Sequence, residues 1–294
     1  MDNIAQPPAR TVEEWAKHYI ESRDWKVKLS PPSAPKLWAS CPQALDLRPG
    51  RPSDLRLTTT KPRTFKAGSL KSIEARAALQ HKFWHHELQA AELMCWALLR
   101  FCHTPLAFRK GLLRIFKDEV RHMALYQGEI EALGFTLSDF EVRDWFWERV
   151  PTCETEVEFV ALLGMGLEAA NLEHTLRFAD WFRNVGDQRG AAIQEQVGLE
   201  EISHVRFAVR WFRTWTGDVQ FKEWCEQLPP PLTPLLMRGK SLDMNRRRNA
   251  EFPEEFLEEL KQWRAEPTSN RVRKTKPSGP CTRTQNDLQN ENNS

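Results

Sequence analysis

Apolar residues recur at intervals of three and four from Ser69 onward, in long stretches free of proline, whereas the chain before them is broken by Pro31, Pro32, Pro35, Pro42, Pro49, Pro52 and Pro62. Spacing of three and four is the signature of an amphipathic helix. The pattern therefore predicts a proline-rich, irregular arm over residues 1–68, with one short helix near residues 11–22 opened by the capping box Thr11-x-x-Glu14. Four long helices over residues 69–217 follow. The first spans about residues 69–101. The second opens at Thr104-Pro105, a threonine cap before a proline whose missing N–H costs nothing in a first turn, and ends at Gly134. Beyond a connection carrying Trp145 and Trp147, the box Thr155-x-x-Glu158 starts a third helix to about Val185, and a fourth runs from near Asp187 to Gly217. A helical extension over 218–264 is expected to hold a short helix at about 221–228, the Pro229-Pro230-Pro231 break and a last helix from Pro253. Residues 265–294 are polar and asparagine-rich, a composition that predicts disorder.

Two of the expected inward faces carry acids. Leu112, Ile115, Glu119, His122, Met123 and Tyr126 share a stripe on the second helix, and Val157, Val160, Ala161, Gly164, Met165, Glu168, Leu172, Thr175 and Phe178 share one on the third. A carboxylate in an apolar stripe is costly unless something neutralises it.

The candidate chemistry follows from spacing. Glu119-Val120-Arg121-His122 and Glu201-Ile202-Ser203-His204 are both Glu-x-x-His, and residues three apart on a helix share a face. With so many glutamates, roughly one such match arises by chance, so the pairing carries more weight than either copy. Glu87 lies 32 residues before Glu119 and Glu168 lies 33 before Glu201, so each helical hairpin can return its lone glutamate to the level of its Glu-x-x-His. Four carboxylates and two imidazoles converging in this way match two divalent ions in charge, and oxygen with imidazole donors suits iron or manganese better than copper(I) or a structural zinc. Glu92 and Glu173 each follow a lone glutamate by five and would point some 140° away, roughly, from the predicted ligands. They are read as supporting or surface acids.

Composition acts mainly by exclusion. At 294 residues the chain can bury a core of ordinary size, and its formal charge of +2 gives weak ground for binding nucleic acid. The basic clusters Arg246-Arg247-Arg248 and Arg271, Arg273, Lys274, Lys276 are read as solvated runs. Cys41, Cys95, Cys102, Cys153, Cys225 and Cys281 form no C-x-x-C pair, which points away from zinc knuckles and thioredoxin-like chemistry and toward a reducing compartment. The first residues show no signal pattern and no stretch has the length of a membrane span, so a cytoplasmic, soluble protein with no membrane partner is expected.

Around the candidate ligands the sequence resembles the ferritin-like di-iron carboxylate superfamily, in which one Glu from each of two helices and Glu-x-x-His from two others project into a four-helix bundle. It is most similar to a bacterial family known as domain of unknown function 455. The likeness lies in His85-His86-Glu87-Leu88-Gln89-Ala90-Ala91-Glu92-Leu93, Asp118-Glu119-Val120-Arg121-His122-Met123-Ala124-Leu125-Tyr126, Val142-Arg143-Asp144-Trp145-Phe146-Trp147-Glu148-Arg149-Val150-Pro151 and Leu232-Thr233-Pro234-Leu235-Leu236-Met237-Arg238-Gly239, and spans most of residues 69–260. It implies an all-α, ferritin-like bundle and the metal ligands Glu87, Glu119, His122, Glu168, Glu201 and His204, but no substrate.

The expectation is a di-metal oxidoreductase, with two iron ions ahead of manganese or a mixed pair. It would use O2 or peroxide to oxidise a small molecule or modified nucleobase. A flavin or nicotinamide fingerprint of the G-x-G-x-x-G kind is absent, so electrons would come from an external donor. The alternatives are an RNA-modifying enzyme, because the superfamily includes a tRNA hydroxylase, and a non-catalytic metal-binding bundle with a structural or interaction role. Tyr126, one turn beyond His122, is either a core tyrosine or a redox relay. His85, His86 and His174 flank the site as packing or substrate-holding residues. Gly164, Gly166, Ala169 and Ala170 either leave room for oxygen and substrate or permit close helix packing, and Arg143, Asp144 and Arg149 either touch substrate or form an ion-pair network.

Overall fold

Most helix starts follow side-chain caps that the sequence offers. In the computed structural model, which describes residues 9–39, 47–60, 64–237 and 241–264, α1 (Val12–Glu21) begins where the Thr11 hydroxyl accepts from the Glu14 amide at 3.2 Å. A short α2 (Trp25–Leu29), not expected from the pattern, is capped by Asp24. The first long helix is split: Ser72 turns into the extended region and caps Ala75, leaving a 3-10 turn (Ala67–Lys71) before α3 (Ile73–Arg100). Thr104 is not the cap of α4 (Leu106–Ala132). Its hydroxyl donates back to the Phe101 carbonyl at 2.6 Å, and Pro105 holds the cap position.

The third long rod is continuous but not uniform. Thr155 caps α5 (Glu156–Phe159), a π-helical stretch (Val160–Glu168) follows, and α6 (Ala169–Asn184) completes it. Asp187 caps α7 (Gln188–Thr216), which ends at Gly217 with φ of 91°, a left-handed geometry that glycine adopts without a Cβ penalty. Next come α8 (Phe221–Glu226), an unexpected α9 (Met244–Asn249) and α10 (Glu254–Gln262). Among the described residues there is no β-strand, only isolated bridges such as Leu57 to Val142. No helix among them is long and apolar enough to cross a membrane. The expectation of disorder over 265–294 lies outside the described residues.

α3 packs along α4, α6 along α7, and α7 in turn against α4 and the π stretch. The expected stripes face inward along their middles, where Leu112, Ile115, Met123, Val160, Ala161, Met165 and Leu172 are all buried, while Val157 and Phe178 at the ends of the third stripe are half-buried. Gly164 decides between the two readings of the small residues. A Cβ there would lie 2.3 Å from the Ala208 Cβ, so its role is close approach of the π stretch to α7.

The arm and the extension are tied to the long helices by buried charge. Glu92 on α3 accepts from Lys28 Nζ at 2.7 Å, Arg51 Nη2 at 2.8 Å and Trp147 Nε1 at 2.8 Å. Glu173 on α6 accepts from Arg247 Nη2 at 2.7 Å and from the Asp243 amide at 2.8 Å. Arg247 is fully buried, so the Arg246-Arg247-Arg248 cluster is not a solvated run. Arg246 donates to the Leu172 carbonyl and Arg248 pairs with Glu254. Among the described cysteines, Cys95, Cys153 and Cys225 are free and Cys102 is disulfide-bonded, which irregular spacing did not announce.

Removing the Glu92 carboxylate leaves two cations buried without it. Glu92→Ala is expected to lower stability by about 3–5 kcal/mol and to make the arm sensitive to limited proteolysis, measured by urea unfolding and mass mapping of the cuts. An unchanged unfolding midpoint would show that the arm is held by its apolar contacts alone.

Candidate metal centre

Glu87 on α3, Glu119 and His122 on α4, Glu168 at the end of the π stretch, and Glu201 and His204 on α7 are all buried and converge between the long helices. Two groups of ligand atoms form, each with its members within 4.8 Å of one another: Glu87, Glu119, His122 and Glu201 in one, Glu119, Glu168 and His204 in the other. Glu119 belongs to both. Its Oε2 lies 3.4 Å from His122 Nδ1 and its Oε1 lies 3.2 Å from His204 Nδ1, while Glu201 Oε2 is 3.3 Å from His204 Nδ1. Glu87 Oε2 approaches His122 Nδ1 at 3.6 Å.

None of these contacts has hydrogen-bond geometry. Both oxygens of Glu119, both oxygens of Glu201, and Nδ1 of His122 and of His204 are buried without a hydrogen-bond partner. Native interiors rarely leave such groups unsatisfied, and six at one point need a shared partner. Oxygen and imidazole donors around a charge deficit fit a pair of divalent iron or manganese ions.

The far side of each imidazole explains its orientation. His122 Nε2 faces Glu200 Oε2 at 2.8 Å, and His204 Nε2 faces Asp118 Oδ2 at 3.3 Å. Each acid directly precedes the glutamate of the opposite helix's motif, so α4 holds the histidine of α7 and α7 holds the histidine of α4. Arg121 joins the two acids, donating to Glu200 at 2.7 Å and to Asp118 at 2.6 Å. Acids on Nε2 direct Nδ1 inward as the free donor and raise its basicity. Asp118, Glu200 and Arg121 were not singled out from the sequence. The signal was present: each motif is acid-Glu-x-x-His.

Electrostatics show how the chain carries this charge by itself. Burial pushes the Glu87 carboxyl well above its usual range, with the charges of Glu119 and Glu201 adding to it. Burial, then Glu201 and Glu119, do the same to Glu168. Burial opposes charge on His122, yet the carboxylates of Glu119 and Glu87 raise it to about 11. His204 is likewise raised, against burial, by Glu119 and Asp118. Glu119 stays ionised: burial would raise it, but His204 and His122 hold it below the ordinary range.

The other sequence candidates fall outside this cluster. Tyr126 is buried one turn from His122, with Gln194 Nε2 at 3.4 Å from its hydroxyl and the Phe83 ring 5.7 Å away. His85 faces Asp144 at 3.1 Å, and Asp144 also pairs with Arg51. Arg143 pairs with Glu148, and Arg149 with Glu148 and the Trp145 ring, an ion-pair network. Glu92 and Glu173 are held by their own cations. A void of about 10 Å³ lies against Glu168, His204 and Gly164, scarcely room for one water.

A cation entering this site displaces protons from Glu87, Glu168, His122 and His204. Its apparent affinity is therefore expected to rise with pH, by about tenfold per unit for each proton displaced between about pH 6 and pH 8; chelator competition at several pH values measures it, and a flat profile would contradict the proton displacement. Asp118→Asn and Glu200→Gln are each expected to weaken metal binding by about 10–100-fold in the same competition. Wild-type affinity in both would remove the outer acids from any role in holding the histidines.

A family model described as "Protein of unknown function (DUF455)" matches residues 5–258. An uncharacterized protein of Haemophilus influenzae is 28% identical over 159 residues, covering 51% of this chain and 55% of that protein, so the match spans about half of the curated relative's length. No solved structure matches.

Proposed function

The chain belongs to the DUF455 family, whose description carries no activity, and from its site we propose that it is a ferritin-like di-metal oxidoreductase built on a four-helix bundle. The observation that carries this reading is the set of six buried donor atoms on Glu119, Glu201, His122 and His204 without partners, flanked by the carboxylates of Glu87 and Glu168. Glu119 faces both histidines and belongs to both groups of donors, with Glu87 and Glu168 completing one group each, and these six residues would hold the metal. Iron is preferred over manganese. When bound, such a pair supplies the electrons and open positions for reductive activation of dioxygen or peroxide.

The protein's own residues do the rest. Asp118 and Glu200 keep each imidazole oriented, and Arg121 holds both acids in place. The apolar walls of Met94, Leu112, Phe159 and Leu163 keep bulk water from Glu168 and His204. Asp118 and Glu200 are partly exposed, so the outer nitrogen of each imidazole meets an acid within reach of solvent. Tyr126 stands one turn from His122 as a candidate relay for electrons from an external donor. The oxidised substrate would be a small molecule or modified base.

The narrow void beside Glu168 favours a second reading, a metal-binding bundle without catalysis, because no organic substrate fits there without movement. The Arg246-Arg247-Arg248 cluster, engaged in internal bonds, gives an RNA-directed enzyme little support.

Oxygen uptake separates the two readings. Protein loaded anaerobically with ferrous iron and given a chemical reductant is expected to consume oxygen faster than the same iron free in buffer, and Glu168→Ala is expected to abolish the excess. Stable metal binding with no excess uptake would leave the non-catalytic bundle.

A further inference from the structure

On the outer face of α3, turned away from Glu87, a cavity of about 870 Å³ opens between this helix, the 56–60 segment of the arm and the 139–146 connection. That volume is the size of a site for a drug-sized molecule. Phe140, Trp145 and Phe146 wall it, and Lys82 and His86, one helical turn apart, share its floor.

The charges around the cavity are unevenly matched. Arg143 is committed to Glu148, His85 to Asp144, and Arg56 to the Asp139 carbonyl. Asp139 is itself satisfied by Thr136, and Glu141 is exposed at the rim. Lys82 and His86 have no acid and no hydrogen-bond partner among the described residues, although both are half-buried. His86 stacks on Phe146 with ring centroids 5.0 Å apart. Burial alone lowers Lys82. Two bases brought together without a counter-charge, beside aromatic walls, are a built receptor for an anion with a flat apolar body.

We propose that this cavity binds a planar aromatic anion, its carboxylate or phosphate set between Lys82 and His86 and its ring against Trp145 and Phe146. The site is separate from the metal cluster and does not depend on the di-metal reading. The acid group satisfies Lys82 and His86 together, and the ring covers the aromatic walls of the cavity.

Calorimetric titration of the full-length chain tests this with 1-naphthoate, 1-naphthyl phosphate and the neutral 1-naphthylmethanol. At least one anion is expected to bind about tenfold or more tightly than the alcohol, the loss of one charge-assisted contact, and the stronger of the two identifies the acid group. Lys82→Met keeps the stem and removes the charge, and is expected to weaken that anion by about tenfold while leaving the alcohol unchanged. His86→Phe keeps the stacking on Phe146 and is expected to weaken the anion as well. Lys222→Met, an exposed change on α8, controls for bulk charge and is expected to have no effect. Equal binding of alcohol and anions, no anion binding, or equal losses in Lys82→Met and Lys222→Met would overturn the proposal.

Discussion

Everything in this protein is arranged around ionised groups that have been taken out of water. Glu119, Glu201, His122 and His204 sit where helix faces are otherwise Leu, Ile, Val and Met, with Glu87 and Glu168 at their sides. Such a cluster is far from free: carboxylates forced together in a low-dielectric interior repel, and each lost hydration shell costs several kcal/mol. With protons alone, Glu87 and Glu168 are driven toward the neutral acid and the two histidines toward the imidazolium, while Glu119 remains charged. That relieves the repulsion between carboxylates but leaves polar atoms without hydrogen bonds, and two divalent cations would meet both demands.

The same constraint is met differently one and a half turns further along α3 and α6. Glu92 and Glu173 are also buried acids, yet each is neutralised by cations from outside the long helices, Lys28 and Arg51 from the arm and Arg247 from the extension. The duplication therefore reaches beyond the central cluster: each half carries one acid aimed inward and another that docks a flanking segment. Arg51 extends this on one side, since it also holds Asp144, which faces His85 beside the outer cavity. The contrast is informative. Where a flanking segment docks, the chain supplies a lysine or arginine with close geometry, and at the central cluster no lysine or arginine among the described residues reaches the acids.

Much of this was legible in the sequence, for identifiable reasons. The long helices carry apolar residues at spacings of three and four, and two of them start at Thr155 and Asp187, whose side chains cap by local geometry, so these positions depend little on the rest of the fold. The six central residues could be found because Glu-x-x-His occurs twice at matched distances from a lone glutamate. What escaped was long-range. Nothing local marks Lys28, Arg51 or Arg247 as buried, because their partners lie 64, 41 and 74 residues away. Thr104 had two ways to use its hydroxyl, and the preceding carbonyl won over the cap. The close approach of Gly164 to Ala208 joins residues far apart in the sequence, so no local pattern marks it. Asp118 and Glu200 were within reach of the pattern, but the crossed pairing that gives them a purpose appears only when α4 and α7 lie side by side.

The central cluster is tested most directly by anaerobic titration of the metal-free chain with ferrous iron, read by calorimetry and by metal analysis after gel filtration. Saturation at about two ions per chain, falling below two in Glu119→Ala, is the expected result. Failure of the wild-type chain to retain iron through gel filtration, or an undiminished two ions per chain in Glu119→Ala, would contradict a di-metal centre bridged by that carboxylate.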